Sequence, residues 1–538
     1  MINKKSFRIF LILLSVAGAI VVYLATSNYG PGLSTDGARY LSTAESIAAR
    51  RGIIDYLGLP LVNWPPLYPL LLAGLNRLTG LDVFVIGQLI NIIAFGVIIW
   101  LSGIFFERSL PGNYTFATVA SLIVATSLPF IEVSANIASD PLYMVCVLLF
   151  LLAAQDYARS FSSRNWWAMV AITIAACFLR YAGLTLIISG TLIVLFTQGQ
   201  PLRGRSPKQS STKFLGIATP ALRARNGQLW EAAKFGLVSG LPIALWAAFF
   251  NYRLTGSILG AHLPANPWGN FVAAIEKWAG WFLPERVLQV VPPLAIAALL
   301  LLVLATHSNR ARWSAWLKRM QSAELLPSAI FYLVYGATLI FAISYPEHHV
   351  AGSQRLHVVL QPLFLILATV TALELIPTMK EKETRRLILF VFALWLLFPF
   401  YRVQSYVRAS IENGDVSYYN LYNTRTLRES DIVAEIQAME LDEGERVYSN
   451  NEAAAWFYLR RRIYRLPRYD AELGQDLETV ILEFDGWPSA DELATLIWFE
   501  RELDYKELVP TPDMLADFIR LTPVFVGRYG NVYLMDVD

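Results

Sequence analysis

Apolar stretches recur along most of the chain, and each is long enough, or nearly so, to cross a lipid bilayer as a helix. A span needs roughly 20 apolar residues. The stretches are Ser6–Thr26, Val83–Phe106, Thr115–Ser134, Pro141–Ala158, Trp166–Leu179, Gly183–Thr197, Lys234–Asn251, Leu288–Thr306, Leu325–Tyr345, Leu356–Ile376 and Leu387–Tyr401. Only 16% of the residues are charged, against about 25% in soluble proteins. The sequence therefore predicts an all-α polytopic membrane protein with about eleven transmembrane helices.

Lysine and arginine cluster in particular loops, and this clustering predicts an orientation. Basic residues mark cytoplasmic loops. They flank the first span at Lys4, Lys5 and Arg8, and they fill Gln198–Gln228, which has no acidic residue. Further basic loops lie at 310–319 and 380–386. If the first span is uncleaved and the N-terminus is cytoplasmic, all these loops fall on one side. We expect a multi-pass protein of the cytoplasmic membrane.

The chain after the last span is more polar and more charged than the rest. We expect two domains, a transmembrane domain over 1–402 and an extracytoplasmic α/β domain over 403–538. Residues 444–467 favour a strand, a helix and a strand, and residues 524–537 favour a hairpin that turns at Gly530 and Asn531. The formal net charge of +2 argues against a general nucleic-acid binder.

The loop after the first span opens with an acidic residue at a helix start. Apolar residues at Leu41, Ala44, Ile47 and Ala48 follow helical spacing. This predicts an amphipathic helix lying along the outer membrane face. Asp36 stands at its start, either as a simple N-cap or as a functional carboxylate. The prolines at 65 and 66 suit the first turn of a second helix, where missing N–H donors do no harm.

Five short motifs, taken in order, resemble one class of membrane enzyme. They are "STDGARYLSTAESIA" from Ser34, "WPPLYPLLLAGLNRLTG" from Trp64, "SDPLYMVCVLLFLLA" from Ser139, "FLRYAGLTLI" around Arg180 and "SQRLHVVLQPLFLIL" around Arg355. The first 400 or so residues are similar to the GT-C membrane glycosyltransferases. Within that class they resemble the group of the protein O-mannosyltransferases and the lipid A aminoarabinose transferases.

The resemblance implies transfer of a sugar from a polyprenyl-phosphate donor to a hydroxyl on a lipid, glycan or protein, with inversion. It implies that Asp36 is the general base. Asp140 either binds the acceptor, orients a positive partner or caps a helix. Arg180 and Arg355 can fork onto the donor phosphate, or they can snorkel at the interface. The neighbouring His348 and His349 can bind phosphate or sugar.

Three aromatic residues near this loop are candidates for contact with sugar or lipid. A sugar ring can stack on Tyr40, Trp64 or Tyr68, although aromatic residues at such positions more commonly belong to the belt at the membrane interface. Two departures from the resemblance matter. Gly37 stands where protein mannosyltransferases carry the second acid of an Asp-Glu pair, which weakens the case for a protein acceptor. Leu356 replaces an aromatic residue after Arg355.

No cofactor is expected. No Asp or Cys stands at ligand spacing beside the His pair, which argues against a metal site, although a divalent metal stays open. The two cysteines, Cys146 and Cys177, lie in apolar runs and favour buried small side chains over a disulfide or metal site. Membrane lipids, the lipid donor and the acceptor are the expected partners. Two other functions stay open: a transporter or flippase of a lipid-linked saccharide, and a non-catalytic scaffold that presents the tail.

Overall fold

The computed structural model describes most of the chain. The described residues are 3–197, 219–256, 266–307, 309–341, 353–376, 381–414, 417, 419–468, 476–489, 492–500 and 509–536. His348 and His349 lie outside them, so their predicted roles stay predictions.

Helices dominate the described part up to residue 413. The first ten are α1 (Lys4–Ala25), α2 (Thr35–Ala48), α3 (Leu67–Thr79), α4 (Val83–Ser109), α5 (Tyr114–Ala125), α6 (Leu128–Ser134), α7 (Asp140–Ser160), α8 (Ser163–Leu179), α9 (Leu184–Thr197) and α10 (Thr219–Trp246). The next ten are α11 (Arg253–Thr255), α12 (Pro267–Gly280), α13 (Glu285–Val290), α14 (Pro293–His307), α15 (Arg310–Met320), α16 (Leu326–Ile340), α17 (Gln354–His357), α18 (Gln361–Leu375), α19 (Lys382–Trp395) and α20 (Leu397–Asn413).

Several of these helices are long and apolar enough to cross a membrane. Within the described residues six qualify singly, and up to eight do if each of two bent helix pairs is one span. The protein is therefore a multi-pass membrane protein, while the number of about eleven spans stays a prediction. One predicted span, Thr115–Ser134, is not a single helix: α5 and α6 meet at 49°. Pro129 stands in the first turn of α6, where a proline is compatible with a new helix but not with a continuous one.

Ion pairs define one end of the helical part. Glu107 near the end of α4 pairs with Lys4 and Arg8 near the start of α1. Arg108 pairs with Asp156 near the end of α7. Since α4 and α7 both finish at this end, their first residues lie at the opposite end. Asp140, the first residue of α7, is therefore remote from Lys4 and Arg8.

After α20, the described residues form five short helices and one five-stranded sheet. The helices are α21 (Arg425–Arg428), α22 (Asp431–Ala438), α23 (Glu452–Leu459), α24 (Leu477–Leu482) and α25 (Pro512–Leu515). The strands are β1 (Arg446–Ser449), β2 (Tyr464–Arg465), β3 (Ala494–Phe499), β4 (Arg520–Val526) and β5 (Gly530–Asp536). Their order is β2-β1-β3-β5-β4, with β1 parallel to both β2 and β3 and with β5 antiparallel to β3 and β4.

Two details of the tail differ from the sequence predictions. The β4–β5 hairpin turns at residues 527–529, because Gly530 and Asn531 already pair with Phe499 and Trp498 of β3. The helix α20 runs through residue 402 without a break. The division into 1–402 and 403–538 stays a prediction.

The tail packs directly on the loop that follows α1. One apolar cluster joins Leu41 and Ala44 of α2 to Trp456 of α23 and Ile497 of β3. Glu45 of α2 pairs with Arg460 at the end of α23. Most of α2 is consequently buried. The position of this amphipathic helix along the outer membrane face stays a prediction, and its burial under the tail was not predicted. Its apolar side and much of its polar side are covered by protein, because the tail folds back over it.

Candidate active site

Asp36 lies in the first turn of α2 and is not its N-cap. The cap is Ser34, whose hydroxyl accepts a hydrogen bond from the Gly37 amide at 3.3 Å. Serine and aspartate are both strong N-caps, and here the serine takes that position. The simple capping role expected as one alternative for Asp36 is therefore wrong. Its carboxylate is buried close to the positive end of the helix dipole, which stabilises negative charge.

Arg355 supplies the partner of Asp36. The Nη2 atom of Arg355 lies 2.8 Å from the Oδ2 atom of Asp36, and the two side chains are 19% and 7% exposed. Arg355 is the second residue of α17, a short helix that leads into α18. A guanidinium held this way does not snorkel, so that alternative for Arg355 is wrong. At this burial the pair is little screened by salt.

A second pair joins Asp140 and Arg180. Asp140 opens α7 after its N-cap Ser139, and its carboxylate contacts the Arg180 guanidinium. Arg180 ends α8 in an extended conformation, which turns the chain into α9. Both side chains are largely buried. Because Ser139 is the N-cap and Arg180 is paired and largely buried, the alternatives of a simple N-cap for Asp140 and of snorkelling for Arg180 are wrong.

The starts of α2 and α7 are brought together by the backbone. The Gly32 amide donates to the Ala135 carbonyl at 2.8 Å, and the Ile137 amide donates to the Gly32 carbonyl at 2.9 Å. These two bonds place the segment before Asp36 alongside the segment before Asp140. The residue separations in the chain, about one hundred positions, give no local signal for this pairing.

Tyr40 lies close to members of both ion pairs. Its hydroxyl is 3.2 Å from the Ser139 hydroxyl. Burial raises the pKa of Tyr40 well above its ordinary value, Arg180 opposes that rise, and Asp36 and Asp140 add to it. Asp140 and Arg355 also line one narrow cleft together with Pro141, Met144 and neighbouring apolar side chains. Asp36, Arg355, Asp140 and Arg180 therefore form one charged cluster, which we call the paired cluster.

The three aromatic candidates pack against one another in the same part of the molecule as Asp36. The ring of Tyr40 meets those of Tyr68 and Trp64 edge-on, with centroids 5.1 Å and 6.5 Å away. Tyr40 and Tyr68 are buried by protein, whereas Trp64 is half-buried. Of these three rings, Trp64 is therefore the most accessible to a ligand.

Sequence reasoning missed Arg39 and Asp55. The Nη1 atom of Arg39 lies 3.2 Å from the Oδ2 atom of Asp55, and its guanidinium carbon is 4.9 Å from the Trp64 ring centroid. The other carboxylate oxygen of Asp55 accepts from the Leu57 and Leu59 amides. Burial raises the pKa of Asp55, and Arg39 opposes that rise. The only available signal was the position of Arg39 one helical turn after Asp36.

Comparison with known proteins was made by sequence and by structure. No family model matches the chain, and no curated protein matches it in sequence. The apo structure of ArnT from Cupriavidus metallidurans matches with a TM-score of 0.58 at 15% identity, over 97% of each chain. The same protein bound to undecaprenyl phosphate matches with a TM-score of 0.56 at 16% identity, over 97% of each chain.

The chain has the GT-C fold. The resemblance predicted from the motifs is thereby confirmed at the level of the fold. A match to the Saccharomyces cerevisiae protein O-mannosyltransferase Pmt1-Pmt2 complex bound to the sugar donor has a TM-score of 0.34 at 16% identity, over 51% of this chain and 36% of that one.

Within this GT-C fold the neighbour of Asp36 is a glycine for a steric reason. A Cβ atom on Gly37 would lie 2.9 Å from the Ile137 carbonyl oxygen and 3.2 Å from the Ile137 Cβ atom. A contact with backbone at that distance requires the chain to move. The close approach of α2 to the segment before α7 therefore leaves no room for a second carboxylate at position 37.

Among the described residues, no group of three or more His, Cys, Asp or Glu side chains is placed to hold a metal ion. The two acids of the paired cluster each contact an arginine instead.

Proposed function

We propose that the protein is an inverting membrane glycosyltransferase that uses a polyprenyl-phosphate sugar donor and a hydroxyl acceptor. The observation that carries this proposal is the buried pair of Asp36 and Arg355, which places a carboxylate and a guanidinium side by side at one end of the membrane helices. The GT-C fold, shared with a protein whose structure holds undecaprenyl phosphate, supports the class of donor.

Asp36 is the general base in this proposal. Its carboxylate takes the proton of the acceptor hydroxyl while the acceptor oxygen forms a bond to the anomeric carbon. The bond between that carbon and the phosphate oxygen breaks, and its electron pair leaves on the phosphate. A single displacement of this kind inverts the configuration. Only one carboxylate is needed beside the acceptor, which agrees with the glycine at position 37.

Arg355 is shared between the base and the donor. Before the donor binds, its guanidinium is paired with Asp36. A guanidinium binds phosphate oxygens in a bidentate fork, so the donor phosphate competes with Asp36 for it. Transfer of Arg355 to the phosphate stabilises the leaving group and uncovers the Asp36 carboxylate for the acceptor. The pairing thus connects donor binding to exposure of the base.

The Asp140–Arg180 pair and Trp64 have supporting roles. Arg180 is the second phosphate-binding candidate, and Asp140 orients it and contributes to the field around Arg355. Trp64 is proposed to stack on the sugar. We propose further that the N-terminus is cytoplasmic, that the paired cluster and the tail are extracytoplasmic, and that the protein resides in the cytoplasmic membrane.

A transporter of a lipid-linked saccharide is the alternative function. Transporters place ionisable groups near the middle of their spans. Here the paired cluster lies at helix ends, at Asp36, Asp140, Arg180 and Arg355. That arrangement supports an enzyme acting at the membrane surface.

The test is an assay of the detergent-purified chain with a panel of polyprenyl-phosphate sugars, with soluble nucleotide sugars as the comparison donors. We expect transfer from a lipid-phosphate donor and loss of that transfer in Asp36→Asn. Transfer from a nucleotide sugar alone contradicts the proposal. If the protein reconstituted in liposomes moves a lipid-linked sugar across the bilayer, and Asp36→Asn moves it equally well, the transporter is supported instead.

A further inference from the structure

The segment that leads from α20 into the tail is polar yet buried. Its residues Ser417, Asn420, Tyr422 and Asn423 are all less than 10% exposed. We call Ser417 and residues 419–423 the strap. Buried polar groups are stable only where they are hydrogen-bonded, and the partners of the strap lie in the segments that carry the paired cluster.

The strap holds the start of the Asp36 helix through backbone and side chain. The Asn420 Oδ1 atom accepts from the Leu33 amide at 2.9 Å. The Leu421 and Tyr422 amides donate to the Leu33 carbonyl at 2.9 and 3.2 Å. The Tyr422 hydroxyl lies 2.8 Å from the hydroxyl of Thr35, the residue before Asp36. These contacts fix the position from which α2 begins.

The strap also holds the helix of Arg355. The Arg355 amide donates to the Tyr419 hydroxyl at 3.1 Å, and the Arg355 guanidinium carbon lies 6.0 Å from the Tyr419 ring centroid. Burial raises the pKa of Tyr419, so its hydroxyl keeps its proton.

A third contact reaches the segment before Asp140. The side-chain amide of Asn136 donates to the Ser417 hydroxyl at 2.9 Å. Asn136 stands in the segment that pairs with Gly32. The strap therefore touches all three chain segments that bring Asp36, Arg355 and Asp140 together.

We infer that the strap is a positioning element of the site, in which the hydroxyls of Tyr419 and Tyr422 hold Arg355 and Asp36 in register with each other. This inference rests on the proposed function for its kinetic readout. The helices that carry these two residues depend on the strap for their position. Arg355 is on α17, which has only four residues, and Asp36 is in the first turn of α2, next to the contacts with the strap. Reacting groups must be held to within about 0.5 Å, and a displacement of about 1 Å can cost about 10²-fold in rate.

The strap also makes the tail part of the site. Tyr458 of α23 donates its hydroxyl proton to the Tyr422 carbonyl at 2.8 Å. The Asn423 side chain donates to the Tyr29 and Pro31 carbonyls. A shift of the tail is therefore transmitted to the residues that flank Asp36.

The experiment compares Tyr419→Phe and Tyr422→Phe with Tyr401→Phe, a matched change at an exposed tyrosine of α20. Phenylalanine keeps the ring and removes the hydroxyl. We expect each strap variant to lower kcat about tenfold, as a partial displacement of the reacting groups would. The unfolding temperature should stay within a few degrees of the native value, and Tyr401→Phe should match the native chain in both measurements. Native kcat in both strap variants overturns the inference, whatever their unfolding temperature.

A second measurement does not require sugar transfer. Undecaprenyl phosphate binding is measured for the native chain, Asp36→Asn, Arg355→Gln and the double variant, and the coupling between the two positions is calculated. The same cycle is repeated in the Tyr419→Phe chain and in Ser417→Ala. We expect the coupling to shrink severalfold in both. An unchanged coupling overturns the inference. If the native chain binds the lipid and shows the coupling but transfers no sugar, the proposed function fails while the positioning inference stands.

Discussion

The guanidinium of Arg355 lies 2.8 Å from the carboxylate of Asp36, and both side chains are largely buried. A buried ion pair gains little stability over apolar groups of the same size, because desolvation offsets the attraction. The presence of this pair at the end of the helices is better explained by a functional role than by stability. Both members are groups that glycosyl transfer from a phosphate requires.

Asp36→Asn should remove most of the turnover. The amide keeps the shape of the carboxylate and its oxygen still accepts from Arg355, but it cannot take a proton. A positioned base contributes about 10²–10⁴-fold, and we expect a loss of kcat in that range. Initial rates with a lipid-phosphate sugar measure it. The control is Asp156→Asn, which changes a half-exposed aspartate at the opposite end of α7. A folded Asp36→Asn protein with native turnover would rule out Asp36 as the base.

Arg355 variants should separate charge from shape. Arg355→Lys keeps the positive charge but loses the bidentate fork, so we expect weaker donor binding in a folded protein. Arg355→Ala leaves the buried Asp36 carboxylate without that partner, which costs about 3–5 kcal/mol in comparable buried pairs. Donor titration and thermal unfolding measure the two effects. Arg159→Ala is the control, because Arg159 lies at the end of α7 that is far from Asp140 and the paired cluster. Equal donor affinity in native and Arg355→Lys chains contradicts phosphate binding by Arg355.

Gly37→Ala should disturb the site although it adds one methyl group. The new Cβ atom would meet the Ile137 carbonyl oxygen at 2.9 Å, so α2 and the segment before Asp140 must separate. Overpacking of this kind costs about 1–3 kcal/mol. We expect a lower unfolding temperature and a lower kcat. Gly74→Ala on α3 is the control, since nothing lies within 4 Å of its Cβ position. A Gly37→Ala protein as active and stable as the native chain would show that the segments tolerate separation.

The orientation of the chain can be tested by cysteine labelling. In a chain whose two native cysteines are replaced, Lys5→Cys should be labelled only from the cytoplasmic side and Ser489→Cys only from outside. Both positions are exposed. The expectation follows from the basic loops. Labelling of both positions by an impermeant reagent from one side would place the N-terminus and the tail together and require an even number of spans.

The sequence indicated the elements of the site better than their contacts. Asp36 and Asp140 were both expected at helix starts, because each precedes an apolar segment and Asp is common at the start of a helix. The cap positions were wrong by one or two residues, since serine and aspartate compete for them. The order of the motifs also pointed correctly to the GT-C fold.

The contacts of the site could not be predicted from local pattern. The pairs Asp36–Arg355 and Asp140–Arg180 join residues from different helices, and periodicity within one helix carries no information about its neighbours. The burial of α2 by the tail was missed for the same reason: Glu45 pairs with Arg460 of the tail, a contact that no pattern within α2 indicates. The bend between α5 and α6 was missed because the apolar run was assigned to one span, although Pro129 is compatible with a new helix and not with a continuous one.

Tyr40 should not be the group that titrates in the pH dependence of activity. Burial raises the pKa of its hydroxyl well above the ordinary value of about 10. A raised pKa means that the tyrosine keeps its proton throughout the working range, so an increase of kcat/KM with rising pH reports the titration of another group. Tyr40→Phe removes the contact with the Ser139 hydroxyl and should lower kcat less than about tenfold, as a lost neutral hydrogen bond does. The midpoint of the pH profile should stay where it is in the native chain. Tyr68→Phe is the control. It removes the hydroxyl of the ring that packs edge-on against Tyr40 and leaves the Tyr40 hydroxyl in place. If Tyr40→Phe abolishes the rise with pH, Tyr40 takes the acceptor proton and Asp36 does not.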